Sequence, residues 1–156
     1  MGLAATVALR ALQAMDCQDY DELRACMAPD LVMRAGGVEF HGVDAVIPML
    51  EAHYAAFPDS LHRFLGLVEQ GDTVALQMQV VATHRGTYRT ALGDFPGTGR
   101  RISWFSSAFI QVEHGRARVW TAYLDVMAIL REVGYVPAPV PPVAGSGPPG
   151  WTGCSR

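Results

Sequence analysis

The feature that most constrains the fold of this chain is a series of four strand-length segments in its second half. These segments span 61–68, 73–88, 102–112 and 117–124. Within each of them, apolar residues alternate with polar ones or run continuously, which is the pattern of β-strands. Short turns at Gly71 and Gly115 follow the first and third segments, and such short links join antiparallel neighbours. Four successive antiparallel strands are therefore predicted.

The first 57 residues follow a helical period instead. Apolar residues recur at helical spacing over 6–15 and 19–27, and a third helix is predicted from a cap at Asp44 up to Pro58. Between the second and third helices, Gly36-Gly37 separates two short apolar segments and indicates a small hairpin. Helices followed by a long meander indicate an α+β fold, in which a curved antiparallel sheet wraps the N-terminal helices as a cone with an apolar interior.

The end of the chain changes in composition. A last helix fits 126–133 and is stopped by Gly134. Beyond it, 137–156 is rich in proline and glycine and cannot bury a core by itself. We therefore expect one folded domain over 1–136 and a disordered tail over 137–156.

Composition and charge exclude several classes of function. With 156 residues, of which 50% are apolar and 17% charged, the chain suits a single domain with a full core. The net charge is -3 and the 12 basic residues are spread along the chain, so neither nucleic acid nor an anionic membrane is an expected partner. No apolar run approaches the roughly 20 residues that span a bilayer, and the N-terminus lacks the pattern of a secretory signal. A cytoplasmic location is expected.

Two residue types limit the chemistry. Every basic residue is arginine, which excludes Schiff-base catalysis by lysine. Cys17, Cys26 and Cys154 have neither the spacing of a disulfide framework nor that of a zinc site. We expect these thiols to have no chemical role.

Four local strings stand in the order and spacing of one known family. They are Ala56-Phe57-Pro58-Asp59, Glu69-Gln70-Gly71-Asp72-Thr73-Val74-Ala75, Thr83-His84-Arg85-Gly86-Thr87-Tyr88 leading to Pro96-Gly97-Thr98-Gly99-Arg100-Arg101, and Tyr123-Leu124-Asp125. On these strings the chain resembles, from about Thr6 to Val136, the SnoaL-like polyketide cyclases of the nuclear transport factor 2-like superfamily. The resemblance implies a cone-shaped α+β barrel around a deep pocket, a homodimer, and no metal or organic cofactor.

The resemblance also implies a chemistry. The best-known members close polyketide rings by intramolecular aldol addition, and their single acid–base carboxylate ends the last strand, where this chain has Asp125. Relatives with the same fold open epoxides, form ether rings or fold a polyene for cycloaddition. The chain departs from the family pattern where Val119-Trp120-Thr121 replaces Glu-His-Trp and where Ala108 and Met33-Arg34 replace an aspartate and a histidine. We therefore expect a less polar pocket.

Strand alternation predicts which residues of the last strand face the pocket. Arg116 and Arg118 favour the solvent side, which places Val119, Thr121, Tyr123 and Asp125 on the inner face. A desolvated carboxyl at an apolar wall suits proton transfer, so Asp125 is the predicted acid–base residue and Tyr123 a predicted catalytic partner. The alternative is that Asp125 only caps the helix that follows it.

The second long strand adds further candidates. His84 shares the apolar parity of Met78 and is predicted to orient a carbonyl or relay a proton, unless it is a rim histidine bonded to a backbone carbonyl. Residues predicted to contact substrate are Met33, Tyr54, Met78, Tyr88, Trp104, Val119 and Thr121. His41, His53, His62 and His114 are expected to be exposed to solvent.

Two larger expectations follow. The Gly- and Pro-rich loop over 90–99 is expected to be a mobile lid or an ordinary hairpin loop. Gln77, Gln79 and Trp120 lie on the predicted outer face of the sheet, through which the homodimer should form.

The favoured function is that of a cofactor-free cyclase, which closes a ring in a linear, hydrophobic intermediate of polyketide type in natural-product biosynthesis. The bond could form by an aldol-type step or by cycloaddition. The alternatives are an epoxide-opening or ether-forming enzyme and a non-catalytic protein that binds a hydrophobic ligand.

Overall fold

The structure is a computed structural model of the chain, and it describes residues 2–135. The expected tail over 137–156 lies outside the described residues. The described part forms four helices and eight strands. In chain order these are α1 (Leu3–Asp16), α2 (Tyr20–Cys26), β1 (Met27–Ala35), β2 (Val38–His41), α3 (Val43–Ala56), β3 (Leu61–Gln70), β4 (Thr73–Thr83), β5 (Tyr88–Thr90), β6 (Gly93–Phe95), β7 (Arg101–Glu113), β8 (Arg116–Leu124) and α4 (Val126–Glu132).

Six strands form one curved sheet in the order β2-β1-β8-β7-β4-β3. The four long strands predicted from the sequence are β3, β4, β7 and β8, and each pairs antiparallel with its neighbour. The predicted hairpin β1–β2 extends this sheet because β1 pairs in parallel with β8. Since β2 and β3 lie at opposite edges, the sheet curves without closing, and the predicted α+β class is confirmed.

The helices α1 and α3 are held against the sheet by one hydrophobic cluster. Leu12 and Met15 of α1 and Val46 of α3 are buried against inward residues such as Leu76 of β4 and Ile110 of β7. Burial of apolar surface stabilises such contacts by about 25 cal/mol for each Å² removed from water. Within residues 2–135, none of the helices combines the length and the apolar composition needed to cross a bilayer.

The third helix begins before the predicted cap. Its N-cap is Gly42, which has a φ of 79° that glycine adopts more readily than other residues. Asp44 therefore lies in the first turn of α3 rather than capping it, and its carboxylate accepts a hydrogen bond from Arg24 Nε at 3.1 Å. A carboxylate in a first turn still complements the helix dipole.

The predicted strand over 73–88 ends early, at Thr83. The Asp59 carboxylate accepts hydrogen bonds from the Thr83 amide at 2.6 Å and from the Thr83 hydroxyl at 2.7 Å, and pairing with β7 stops at this residue. The chain then turns, and Tyr88 begins β5, which pairs with β6. Part of the predicted loop over 90–99 is therefore a two-stranded hairpin.

A β-bulge interrupts the alternation of β8. Val112 of β7 pairs with Ala117, whereas the preceding Gln111 pairs with Val119, so Arg118 is an additional residue on β8. One additional residue exchanges the inner and outer faces of everything that follows it on the strand.

Candidate active site

A cavity of about 640 Å³ lies between α1, α3 and the concave face of the sheet. This volume is within the range of pockets that enclose small molecules. Its lining is mainly apolar and rich in methionine and aromatic side chains, namely Met15, Met33, Phe40, Met49, Met78, Tyr88, Trp104 and Trp120. The lining residues Val38 and Leu92 are 48% and 61% exposed, so the cavity opens to solvent between β2 and the β5–β6 hairpin.

Five of the predicted substrate-contacting residues line this cavity. They are Met33, Tyr54, Met78, Tyr88 and Trp104. Burial raises the pKa of Tyr88 to about 12, so its hydroxyl stays protonated and can donate a hydrogen bond. Their contact with a substrate remains a prediction.

The predicted inward row on β8 is wrong. Beyond the bulge at Arg118, Trp120 faces the cavity, and Val119, Thr121 and Tyr123 take the opposite face. Tyr123 is 60% exposed. The tyrosine proposed as a catalytic partner therefore points away from the cavity.

Asp125 is an exposed helix cap and does not line the cavity. Its carboxylate accepts a hydrogen bond from the Ala128 amide at 2.9 Å, and it is the N-cap of α4. An Asp in this position satisfies an amide that the helix itself leaves unpaired. The position therefore supports the alternative considered for Asp125, a structural cap, over acid–base catalysis.

His84 is fully buried but does not line the cavity either. Its ring packs against Phe57, and Nδ1 lies 3.2 Å from the Thr98 hydroxyl. The His84 carbonyl also accepts hydrogen bonds from the Thr98 and Gly99 amides. The predicted placement of His84 at the pocket wall is therefore wrong, because the segment after β4 turns this side chain towards Phe57.

Two histidines that were expected to be exposed line the cavity instead. They are His53 of α3 and His62 of β3. The His62 ring is held by Asp16 at the end of α1, with 2.7 Å between His62 Nδ1 and Asp16 Oδ1. The other oxygen, Asp16 Oδ2, accepts a hydrogen bond from the His62 amide at 3.2 Å. The side chains of His62 and Asp16 are only 18% and 14% exposed.

His53 lies in an aromatic environment beside this pair. Its Nε2 is 3.1 Å from the Ser60 hydroxyl, and its ring contacts those of Tyr54, Phe57 and Trp104. Burial, and to a smaller extent the nearby His62, lower the pKa of His53 from 6.5 to about 4. His53 is therefore a neutral imidazole at ordinary pH.

Tyr54 completes this polar part of the wall. Burial, and then the proximity of the Asp16 carboxylate, raises the pKa of its phenol well above the usual 10. The hydroxyl therefore remains a donor over the whole range in which the protein would work. In the described part of the chain no carboxylate lines the cavity directly, and no three His, Cys, Asp or Glu side chains are placed to hold a metal ion.

Sequence patterns contained a signal for one of the two missed histidines. His53 is three residues beyond Leu50 and seven beyond Val46, which places it on the buried face of α3. His62 faces the interior opposite Val80 only because a β-bulge between Phe64 and Gly66 shifts the register of β3, so alternation along the sequence gave no signal for it. The contact with Asp16 had no local signal, because 46 residues separate the two positions.

A protein-family model decides the classification. The model of the SnoaL-like polyketide cyclases matches residues 5–133. The chain belongs to this family. No curated protein matches the sequence.

Several solved structures share this fold. A SnoaL-like polyketide cyclase from Agrobacterium tumefaciens is 25% identical with a TM-score of 0.71, over 86% of this chain and 100% of that one. TsrD from Streptomyces laurentii is 19% identical with a TM-score of 0.75, over 86% and 96%. An LEH-like epoxide hydrolase from M. tuberculosis is 17% identical with a TM-score of 0.64, over 84% and 89%.

Proposed function

We propose that this chain is a cofactor-free cyclase, which closes a ring in a linear, hydrophobic intermediate of polyketide type. The observation that carries the proposal is the mainly apolar cavity of about 640 Å³, which has His53, Tyr54 and His62 among its polar lining residues. An apolar chain that enters this cavity is folded on itself, and holding two reacting atoms together removes much of the entropic part of the barrier. Membership of the cyclase family supports the same class of reaction.

The ring can close by an aldol-type step or by cycloaddition. An aldol-type step needs a base to remove a proton next to a carbonyl and a donor for the oxygen that becomes negative. Cycloaddition needs only the shape of the cavity. The imidazole of His62 and the phenol of Tyr54 on the cavity wall favour the aldol-type step.

The test compares two substitutions on opposite faces of β7. Ala108 lines the cavity and Ser103 faces solvent. With a linear polyketone as substrate, we expect Ala108→Phe to abolish formation of the cyclic product, because it fills the cavity, and Ser103→Phe to leave it unchanged. The product is followed by chromatography and mass spectrometry, and it should have the mass of the substrate, or that mass less one water.

The same experiment separates the alternatives. An epoxide-opening enzyme, which the similarity to the LEH-like epoxide hydrolase supports, would add one water to an epoxide substrate and leave the polyketone unchanged. A binding protein would take up the ligand without converting it. Either result would contradict the cyclase proposal.

A further inference from the structure

The groups on the polar wall of the cavity come from three separate elements. Asp16 ends α1, His53 and Tyr54 lie on α3, and His62 is the second residue of β3. Of the four, His62 and the two residues of α3 line the cavity, while Asp16 lies behind the imidazole. A carboxylate that holds the far nitrogen of a histidine fixes the ring in one orientation.

Hydrogen bonding decides which nitrogen of His62 can react. Asp16 Oδ1 lies 2.7 Å from His62 Nδ1 and can only accept a hydrogen bond, so in the neutral imidazole Nδ1 carries the proton and Nε2 has the free lone pair. The Asp16 carboxylate also accepts a hydrogen bond from the His62 amide. This bond fixes the carboxylate to the backbone of the residue that it orients. The arrangement is that of a general base with its orienting group.

We propose that His62 is the catalytic acid–base of this cavity, that Asp16 is its positioning residue, and that the substrate carries an enolisable carbonyl bound against this wall. The inference rests on the proposed function and names its substrate class and its base. His62 Nε2 removes a proton from the carbon next to the carbonyl, and the electron pair of the C–H bond moves to give the enolate. The imidazolium then returns a proton to the oxygen formed when the enolate attacks a second carbonyl.

The two α3 residues serve this step without exchanging the proton themselves. His53 stays neutral because its pKa lies at about 4, so it does not place a second positive charge beside the imidazolium. Tyr54 keeps its proton and can donate a hydrogen bond to the enolate oxygen, which stabilises negative charge where it develops.

Proton transfer can be measured without ring closure. The probe is β-tetralone, an apolar ketone whose hydrogens next to the carbonyl exchange with deuterated water. Exchange is followed by proton NMR with the full-length protein, and binding is followed by the fluorescence of Trp104 and Trp120, which line the cavity. The wild type should accelerate exchange, and His62→Gln should lower kcat by about 10²- to 10⁴-fold while the ketone still binds.

Two matched controls accompany these variants. His41→Gln is the control for His62→Gln and alters an exposed histidine. Asp125→Asn is the control for Asp16→Asn and alters the N-cap of α4. Both controls should keep the wild-type exchange rate.

Asp16→Asn should lower kcat by about tenfold or more with little change in KM, and Asp16→Glu should recover part of the lost kcat. Nitrogen NMR should report His62 protonated at Nδ1 in the wild type and at a mixture of both nitrogens in Asp16→Ala.

Failure of this inference differs from failure of the proposed function. Absence of exchange above buffer in the wild type, or full exchange in His62→Gln, would overturn the assignment of His62. Loss of exchange in Asp125→Asn would also overturn the assignment of His62, because it would make Asp125, at the end of β8, the acid–base residue. Exchange that depends on His62, without ring closure of any linear polyketone, would refute the cyclase and keep the acid–base pair.

Discussion

Burial changes what a histidine can do, and His53 is the clearest case in this protein. Its ring lies among Tyr54, Phe57 and Trp104, where a positive charge would lose its hydration without gaining a carboxylate in contact. The resulting pKa of about 4 lies below the value of 6.5 for an ordinary histidine. The folded protein therefore binds fewer protons at this site than the unfolded chain does between these two values.

This difference predicts a pH-dependent stability. Above pH 6.5 His53 is neutral in both the folded and the unfolded state, so it no longer makes the free energy of unfolding depend on pH. As the pH falls from 6.5 towards 4, the unfolded chain gains a proton that the folded protein does not bind, so the free energy of unfolding decreases. Between pH 7 and pH 5 the loss from His53 should be about 2 kcal/mol, measured by urea denaturation.

The variant His53→Gln isolates the effect of this one residue. Glutamine does not titrate and can still hydrogen-bond to the Ser60 hydroxyl, so the decrease between pH 7 and pH 5 should shrink by about the same amount. His84, whose pKa burial also lowers, contributes equally in both proteins and cancels from the comparison. An identical decrease in wild type, His53→Gln and the exposed control His41→Gln would contradict the prediction.

At the scale of single elements, the segment that follows β4 is anchored more tightly than a loop of this composition suggests. The His84 amide donates a hydrogen bond to the Arg100 carbonyl, and the His84 carbonyl accepts from the amides of Thr98 and Gly99. Gly97 lies so close to this turn that a Cβ at this position would overlap the Arg85 carbonyl. The segment 96–99 is thus packed on the end of β4, beside the hairpin that borders the cavity.

The close approach at Gly97 predicts a specific loss of stability. Gly97→Ala forces the backbone of Arg85 to shift, and overpacking of this kind costs about 1–3 kcal/mol, which thermal unfolding should report as a lower Tm. Gly66→Ala on β3 is the matched control, since its nearest contact is Gln77 Oε1 at 3.8 Å. Equal Tm values for the two variants would argue against tight packing at Gly97.

At the scale of the whole molecule, the outer face of the sheet carries an apolar surface. Phe105 and Phe109 of β7 are 66% and 51% exposed. The ring of Phe109 contacts that of Tyr123 on β8, with 6.2 Å between centroids, and Gln77 of β4 lies on the same face. Trp120 was expected on this face but is buried in the cavity wall. The bulge at Arg118 turns Trp120 inward and Tyr123 outward.

We propose that this outer face joins two copies of the chain into a homodimer. Contiguous aromatic surface of this kind is seldom left in water, and a two-fold axis would pair the patch with itself. Sedimentation at micromolar concentration should give twice the chain mass for the wild type. Phe109→Glu should give a monomer, because it places a charge in the centre of the contact.

A charge elsewhere on the surface provides the control for the dimer. Leu3→Glu alters a residue of α1 that is also largely exposed and should remain dimeric. A monomeric wild type, or equal behaviour of the two variants, would refute an interface on the sheet.

The order of the long elements and the family could be predicted from the amino-acid sequence alone. Periods of about 3.6 and 2 residues are local properties, so the helices, the four long strands and the turns at Gly71 and Gly115 could be predicted from residues adjacent in the chain. The same local reasoning placed Met78 and Trp104 correctly on the inner face, since no bulge lies near them in β4 or β7.

Strand pairing and helix packing set which residues of the last strand face the cavity and which polar side chains line it. One additional residue at Arg118 inverts the alternation of β8, and a bulge depends on pairing with β7, which the sequence of β8 alone does not contain. The pair of Asp16 and His62 forms because the end of α1 packs beside the start of β3. Contacts between positions so distant in the chain follow from how the helices fill the curved sheet, and this packing is a property of the whole molecule.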